Sequence, residues 1–380
     1  MGHRIKIGVG GRFHADRLAA ALSSRGWEVT VVTSLPRNRF KTLPPKSVES
    51  HVFPEVVYRM GAKIAPAWGS DFKMKTFGKA FSRSCKRDAP IDVILAWSGF
   101  AVEAFKSNPR SFKVLVRDSL HILDQVEILE NEYNALGIKF PNHKNTIKRE
   151  LEEYALADKT VILSKVAKES FLKRGISESK LSTVRLGADL EVFSSTQREK
   201  RANSPLQVVY FGTLSIRKGV VYLLEAMENF SSAEVQLTCI GAVERGFEKI
   251  LNRYDKVRIC SPVGHSELAR RLREFDVFVM PTLEDGFGLV VPQAMAAGLV
   301  PIVSKAAGAS ELILDGKTGI VIPPRDSASI TKSIQSLLSN PSLMDDLRAN
   351  ILQNKSILSW ENYGDDFDTI LKTGLISPGR

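Results

Sequence analysis

Cysteine is scarce and scattered in this chain. Its three cysteines among 380 residues, Cys85, Cys239 and Cys260, are odd in number and far apart, which excludes a disulfide framework and a cysteine-ligated zinc site. They read as reduced thiols of a cytoplasmic protein. No pair of histidines or carboxylates stands at metal-ligand spacing, so neither a bound metal nor a cofactor is expected. Long apolar runs are also missing: none approaches the roughly 20 residues a bilayer-crossing helix needs, and a globular, soluble chain is expected. The opening MGHRIKIGVGG is too briefly apolar for a secretory signal and reads as a first strand.

Three catalytic signatures are lacking as well. The glycines after that first strand do not form GxGxxG, which leaves a nicotinamide or flavin site without support. A GxxxxGK[ST] loop is absent, against a phosphate-hydrolysing motor, and so is GxSxG, against a serine hydrolase. Acidic residues are the minority, giving a net charge of +11. The excess cations crowd Arg37 to Lys46 and Lys73 to Arg87, with Phe40, Phe72, Phe77 and Phe81 interleaved. Such a mix suits an anionic membrane surface, nucleic acid or simply water. No nucleic-acid motif accompanies it, so no nucleic-acid partner is expected.

What the chain does contain is strand–turn–helix alternation, twice over. Apolar runs at Ile5–Val9, Trp27–Val32, Asp92–Ala96, Phe112–Val116, Thr160–Leu163 and Leu181–Val184 alternate with helical or turn sequence and predict a parallel sheet. The charged stretch Ile122 to Tyr154 reads as helical, broken near Pro141. A second series begins at Gln207–Phe211 and continues through Val235–Ile240, Val257–Cys260, Val277–Met280, Val300–Val303 and Ile320–Ile322. Between the two series lies the polar stretch Ser194 to Pro205, which reads as a linker. The expected organisation is α/β: a domain over residues 1–193, a second over 206–355, and a helical tail over 356–380 that packs back across the junction.

Within the second series, PTLEDGFGLVVPQAMAAG (Pro281 to Gly298) carries the strongest pattern. Gly286 and Gly288 permit a tight turn and close approach of a ligand to the backbone. A helix from about Gly288 to Ala297 aims free N–H groups and its positive dipole end at an anion. Asp285 suits sugar hydroxyls or a helix cap; Gln293 suits a ribose diol or a solvated helix face. The turn GTLSIRKG adds Arg217 and Lys218, natural holders of a diphosphate before another helix start. At the end of the fourth strand of the first series, Arg117-Asp118-Ser119-Leu120-His121 places polar groups where such sheets put their chemistry.

As a set, these residues resemble retaining glycosyltransferases of family four, with the Gly10-Gly11 turn, RDSLH, YALADKTVILS, LGADLEVF, GTLSIRKG, the Pro281 to Gly298 stretch and ASELILDGKTGIVIPP in family order. The resemblance implies the GT-B fold, two Rossmann-like doubly wound domains facing a cleft. It implies transfer of a sugar from a nucleotide diphosphate sugar to an acceptor hydroxyl, retaining anomeric configuration, without metal. By the same resemblance Asp285, or Glu284 beside it, contacts the donor sugar, and Gln293 the ribose, at positions where the family carries glutamates. Lys218 holds phosphate. Thr213 replaces the family's arginine, making Arg217 the candidate substitute. His121 reaches the sugar across the cleft, and Gly11 positions it by its backbone. Val263, Gly286, Phe287, Gly288 and Leu289 complete the donor-binding set, with His121, Asp285 and Lys218 as the catalytic group. The acceptor is expected to be a saccharide or lipid-linked saccharide, reached from the inner membrane face. The substituted positions leave a catalytically weakened nucleotide-sugar-binding scaffold as the alternative.

Overall fold

The computed structural model describes residues 2–61, 66–88, 90–193 and 204–376. The expected linker at 194–205 lies almost entirely outside them. Two all-parallel sheets account for every strand. The first has seven strands: β1 (Arg4–Val9), β2 (Glu28–Thr33), β3 (Val48–Ser50), β4 (Val93–Trp97), β5 (Phe112–Arg117), β6 (Lys159–Ile162) and β7 (Leu181–Thr183). Their spatial order is β3-β2-β1-β4-β5-β6-β7. The second has six: β8 (Leu206–Phe211), β9 (Val235–Ile240), β10 (Val257–Cys260), β11 (Val277–Met280), β12 (Val300–Ser304) and β13 (Ile320–Ile322), ordered β10-β9-β8-β11-β12-β13.

These strands are near-continuous apolar runs because helices cover both faces of each sheet. VILAW in β4 and VFVM in β11 are buried at every position. Lys6 in β1 is a charged exception, as is Arg117 at the end of β5. Buried at 2 % exposure, the Lys6 ammonium is neutralised by Glu49 at 3.0 Å and Asp88 at 2.6 Å.

Strand order fixes where a ligand goes. In open parallel sheets the crevice opens beyond the carboxyl ends where the order reverses. Here that is between β1 and β4 in one sheet and between β8 and β11 in the other. The Gly10-Gly11 turn and the loop after Trp97 therefore border the first crevice, and GTLSIRKG and the loop after Met280 border the second.

Two features departed from the pattern read in the chain. VES at β3 is a three-residue edge strand, too short to show a period. The basic run beginning at Lys73 belongs to one long helix, Pro66–Arg87. On that helix Phe77 and Phe81 are buried in the core, as is Phe40 upstream, so they are not available to a membrane or nucleic acid. Phe72 is half-buried against Phe53, and Lys75, Lys79, Arg83 and Lys86 lie along one exposed side.

The last helix, Tyr363–Ile376, lies on the first, Ala15–Ser23. Tyr363, Phe367 and Leu371 are buried there, Arg25 pairs with Asp365, and the Trp27 indole donates to Asp368 at 2.7 Å. The chain's end thus serves the first domain. Among the described residues no helix is long and apolar enough to cross a membrane.

Candidate active site

At the second crevice the turn after β11 is drawn tight. Gly288 sits at φ +91°, a conformation that costs other residues strain, and a Cβ there would lie 2.8 Å from Met280. Gly286 is constrained by space instead. A Cβ at that position would strike the Asp118 carbonyl at 2.4 Å, so only glycine lets the two domains approach this closely. The following helix, Val290–Ala296, starts later than the sequence suggested, with Leu289 as its half-buried N-cap and Gln293 buried within it.

Four charged side chains meet beside that turn. Lys218 Nζ is bonded to Asp285 Oδ2, and Arg217 Nη1 reaches Glu284 Oε2 at 3.2 Å and its carbonyl at 3.3 Å. Asp285 Oδ1 accepts from the Phe287 amide at 3.3 Å. Burial pushes the Lys218 ammonium below the usual lysine range, with Asp285 opposing that shift. Burial would raise Asp285, but Lys218 and Arg217 outweigh it and hold the carboxyl below the usual carboxylate range. Lys218 and Gly288 share one locality, since Asp285 Oδ2 touches the lysine and lies 3.6 Å from where a Gly288 Cβ would stand.

Glu284 has a second set of partners across the cleft. Fully buried, it accepts from the Leu120 amide and from Gln125 Nε2, both at 2.9 Å. Gln125 in turn accepts from Arg117 at 2.7 Å, and Arg117 lies 3.2 Å from Glu150. A continuous polar chain therefore runs from the first domain to Arg217. Ser164 Oγ donates to the Gly286 carbonyl at 2.6 Å, closing the same junction from another strand end. Farther out, buried Glu132 accepts from Tyr222 and from Arg325, each at 2.6 Å.

His121 is not at this junction. Its Nδ1 accepts from the Leu123 amide at 3.3 Å, capping the helix Ile122–Ala135. The ring packs between Tyr154 and Phe171 at centroid distances of 4.9 and 5.0 Å. Burial drives its pKa down to about 4, so the ring is neutral at pH 7. The ring turns inward and supplies the cap of the helix that follows it.

The remaining positions are spread along the same edges. Gly11 follows β1, its carbonyl accepting from Thr33 Oγ1 at 3.0 Å. Thr213 is exposed, and its carbonyl accepts from Tyr210 at 2.7 Å. The Phe287 side chain is buried in the core, leaving only its backbone to the turn. Val263 lies half-buried past β10. Gln125 carries no motif of its own, since it sits on an ordinary helical stretch.

Two doubly wound domains with carboxyl edges facing one cleft, and paired cations at a glycine turn, define the GT-B class of two-domain proteins. Family models agree over most of the chain: Glycosyltransferase Family 4 matches residues 9–192, and Glycosyl transferases group 1 matches residues 205–340. The chain belongs to this family of glycosyltransferases. Among curated relatives, a glycogen synthase of Mycobacterium tuberculosis is 29 % identical over 174 residues, covering 44 % of this chain and 41 % of that protein. The chain thus spans about half the length, or less, of the curated relatives first matched. Among solved structures, sucrose-phosphate synthase from Thermosynechococcus elongatus superposes with a TM-score of 0.73 at 20 % identity, covering 98 % of both chains. The HepE protein of Anabaena, in complex with UDP-glucose, gives a TM-score of 0.68 at 16 % identity, covering 97 % of this chain and 99 % of its own. Identities this low speak to the fold alone.

Proposed function

We propose that the protein transfers a sugar from a nucleotide diphosphate sugar to an acceptor hydroxyl with retention of anomeric configuration, in polysaccharide or glycolipid synthesis. The observation that carries this reading is the convergence of Arg217, Lys218 and the Gly286–Gly288 turn at one switch point, facing the other domain. Each of these half-buried cations is paired with a carboxylate, Arg217 with Glu284 and Lys218 with Asp285. An arriving diphosphate competes for Lys218 and Arg217, and these cations then take up the charge that grows on it as the glycosidic bond breaks. That role needs no metal. Asp285, freed in part from Lys218, is left to accept from sugar hydroxyls, and Gln293 to hold the ribose. In this reading the departing phosphate deprotonates the acceptor hydroxyl on the same face, so configuration is retained without a covalent intermediate. Glu284, committed to Leu120 and Gln125, holds the domains together over the substrates and helps exclude water.

The test is a transfer assay with a panel of nucleotide sugars and saccharide acceptors, with and without EDTA, and product configuration read by NMR. Retained configuration and indifference to EDTA are expected; an inverted product would refute the mechanism.

A lipid-linked acceptor at an anionic membrane surface is supported by the helix Phe53–Gly61. Phe53, Val56 and Met60 lie on one side of it at 63 %, 50 % and 69 % exposure. The outward cations of the neighbouring helix Pro66–Arg87 flank it. Flotation with anionic vesicles, lost at high salt and weakened by Met60→Asp, is the expected result. Equal flotation with neutral vesicles would contradict the electrostatic part.

A further inference from the structure

The first domain presents its own unexplained group at the cleft. His14, in the turn after β1, is buried at 6 % exposure, and its Nε2 has no hydrogen-bond partner. That nitrogen is aimed at Asp118, 3.5 Å from an Oδ1 that is also enclosed and unpartnered. Two orphaned buried polar atoms facing each other are uncommon, and each leaves desolvation uncompensated. The rest of the group is well tied. His14 Nδ1 is bonded to the Tyr363 hydroxyl, and the Trp97 indole donates to Asp118 Oδ2 at 3.0 Å. Because Oδ1 is enclosed, the 26 % of the Asp118 side chain that remains exposed lies on its other atoms.

Strain marks the same loop. Phe13 holds φ +44°, a left-handed conformation that is rare for an aromatic residue. It is 57 % exposed and stacks on Trp97 at 6.1 Å. The loop Gly11–His14 thus stores strain to present an aromatic face and a histidine at the first crevice. Asp118 is also the residue whose backbone carbonyl abuts Gly286, which puts this residue at the junction with the second domain's turn.

We infer that Asp118 is the first domain's sugar-binding residue, accepting through Oδ2 from a hydroxyl of the transferred sugar, with the Trp97 indole holding that carboxylate and His14, tied to Tyr363, as the positioning residue packed behind Oδ1. This rests on the nucleotide-sugar reading above and assigns one half of that site. A carboxylate repels phosphate and attracts hydroxyl donors, so it divides the cleft chemically. Arg217 and Lys218 take the diphosphate; Asp118 takes the polyol attached to it. Tyr363 belongs to the last helix, which makes that helix part of the site's support.

Because the two halves respond oppositely, binding separates them. The probes are UDP-glucose, ADP-glucose and GDP-mannose, each paired with its bare nucleoside diphosphate and titrated calorimetrically into the full chain. For whichever pair the wild type binds, Asp118→Asn weakens the nucleotide sugar by about ten-fold or more, as expected for losing a charge-assisted hydrogen bond. The bare diphosphate binds that variant equally or more tightly, since a nearby negative charge is gone. Tyr363→Phe and His14→Leu shift the same ratio by smaller factors, and His14→Gln, whose amide reaches the Nε2 position, restores part of it. A merely structural role lowers both affinities together and leaves the ratio fixed, and that result overturns the inference. If no pair binds the wild type, the donor reading fails and this assignment falls with it.

Discussion

The two crevices of this molecule are built on the same plan and furnished in opposite ways. Each lies where strand order reverses, and each is entered by a glycine turn after an apolar strand. In the second domain every charge is matched: Lys218 with Asp285, Arg217 with Glu284. In the first domain two polar atoms, His14 Nε2 and Asp118 Oδ1, face each other without a bond. The difference teaches how a site is kept before its ligand arrives. Cations are too costly to bury alone and are held on carboxylates that a phosphate displaces. The Asp118 carboxylate instead stays partly in water, at 26 % side-chain exposure, and keeps one oxygen on the Trp97 indole.

The comparison is broken most severely at Lys218. Lys218→Ala lowers the transfer rate by about 100- to 1,000-fold, the usual loss when one group stabilising a developing anion is removed. It also leaves Asp285 buried without its cation, so thermal unfolding shifts downward. Initial rates alongside melting curves check both. A rate within a few-fold of wild type would remove Lys218 from the chemistry.

Glu284→Ala comes next. It strands the Leu120 amide, Gln125 and Arg217 at a fully buried point, for a loss of about 3 kcal/mol by denaturant unfolding. In solution scattering the variant should be more open than wild type. Unchanged stability and an unchanged scattering profile would show that the junction closes by other contacts. Arg325→Ala, at the outer junction, costs less, about 2 kcal/mol: the arginine is 38 % exposed, but Glu132, 1 % exposed, keeps only the Tyr222 hydroxyl.

A smaller effect is read by pH. In the folded protein His121 stays neutral down to about 4, whereas the unfolded chain protonates it near 6.5. The unfolded state therefore binds more protons in that window, and stability falls as pH drops through it. Glu153, buried and accepting from the Gly99 and Ala101 amides at 2.6 and 2.8 Å, is raised by that burial to about 7. It works in the other sense, losing stability as pH rises from 4.5 to about 7. His121→Gln removes the first contribution, so its stability between pH 6.5 and 4 declines less than wild type by up to about 1.4 kcal/mol per pH unit. Parallel curves would show that the ring is not neutral in the folded state.

The fold was readable because parallel strands buried on both faces are written as short apolar runs, and twelve of the thirteen stand out in that way. VES escaped notice because an edge strand of three residues has neither length nor period. At the site, spacing revealed turns and charges: Arg217, Lys218 and Asp285 meet as the motifs suggested. Direction was the part that composition hides. RDSLH lies at the junction of the two domains, yet which of its side chains faces the cleft depends on the helix that follows. His121 was claimed by the cap, and Asp118 was left at the opening. Phe77 and Phe81 show the same limit, since an aromatic between lysines looks exposed until the helix rotates it inward.

The most direct measurement is a calorimetric titration of UDP, ADP and GDP into the wild type and into Lys218→Gln at equal ionic strength. One nucleoside diphosphate binding the wild type, and binding the variant at least about ten-fold more weakly, is the predicted result. Equal affinity in the two proteins would mean that the diphosphate is held elsewhere, and that the paired charges beside Gly286 and Gly288 are part of the fold rather than of the site.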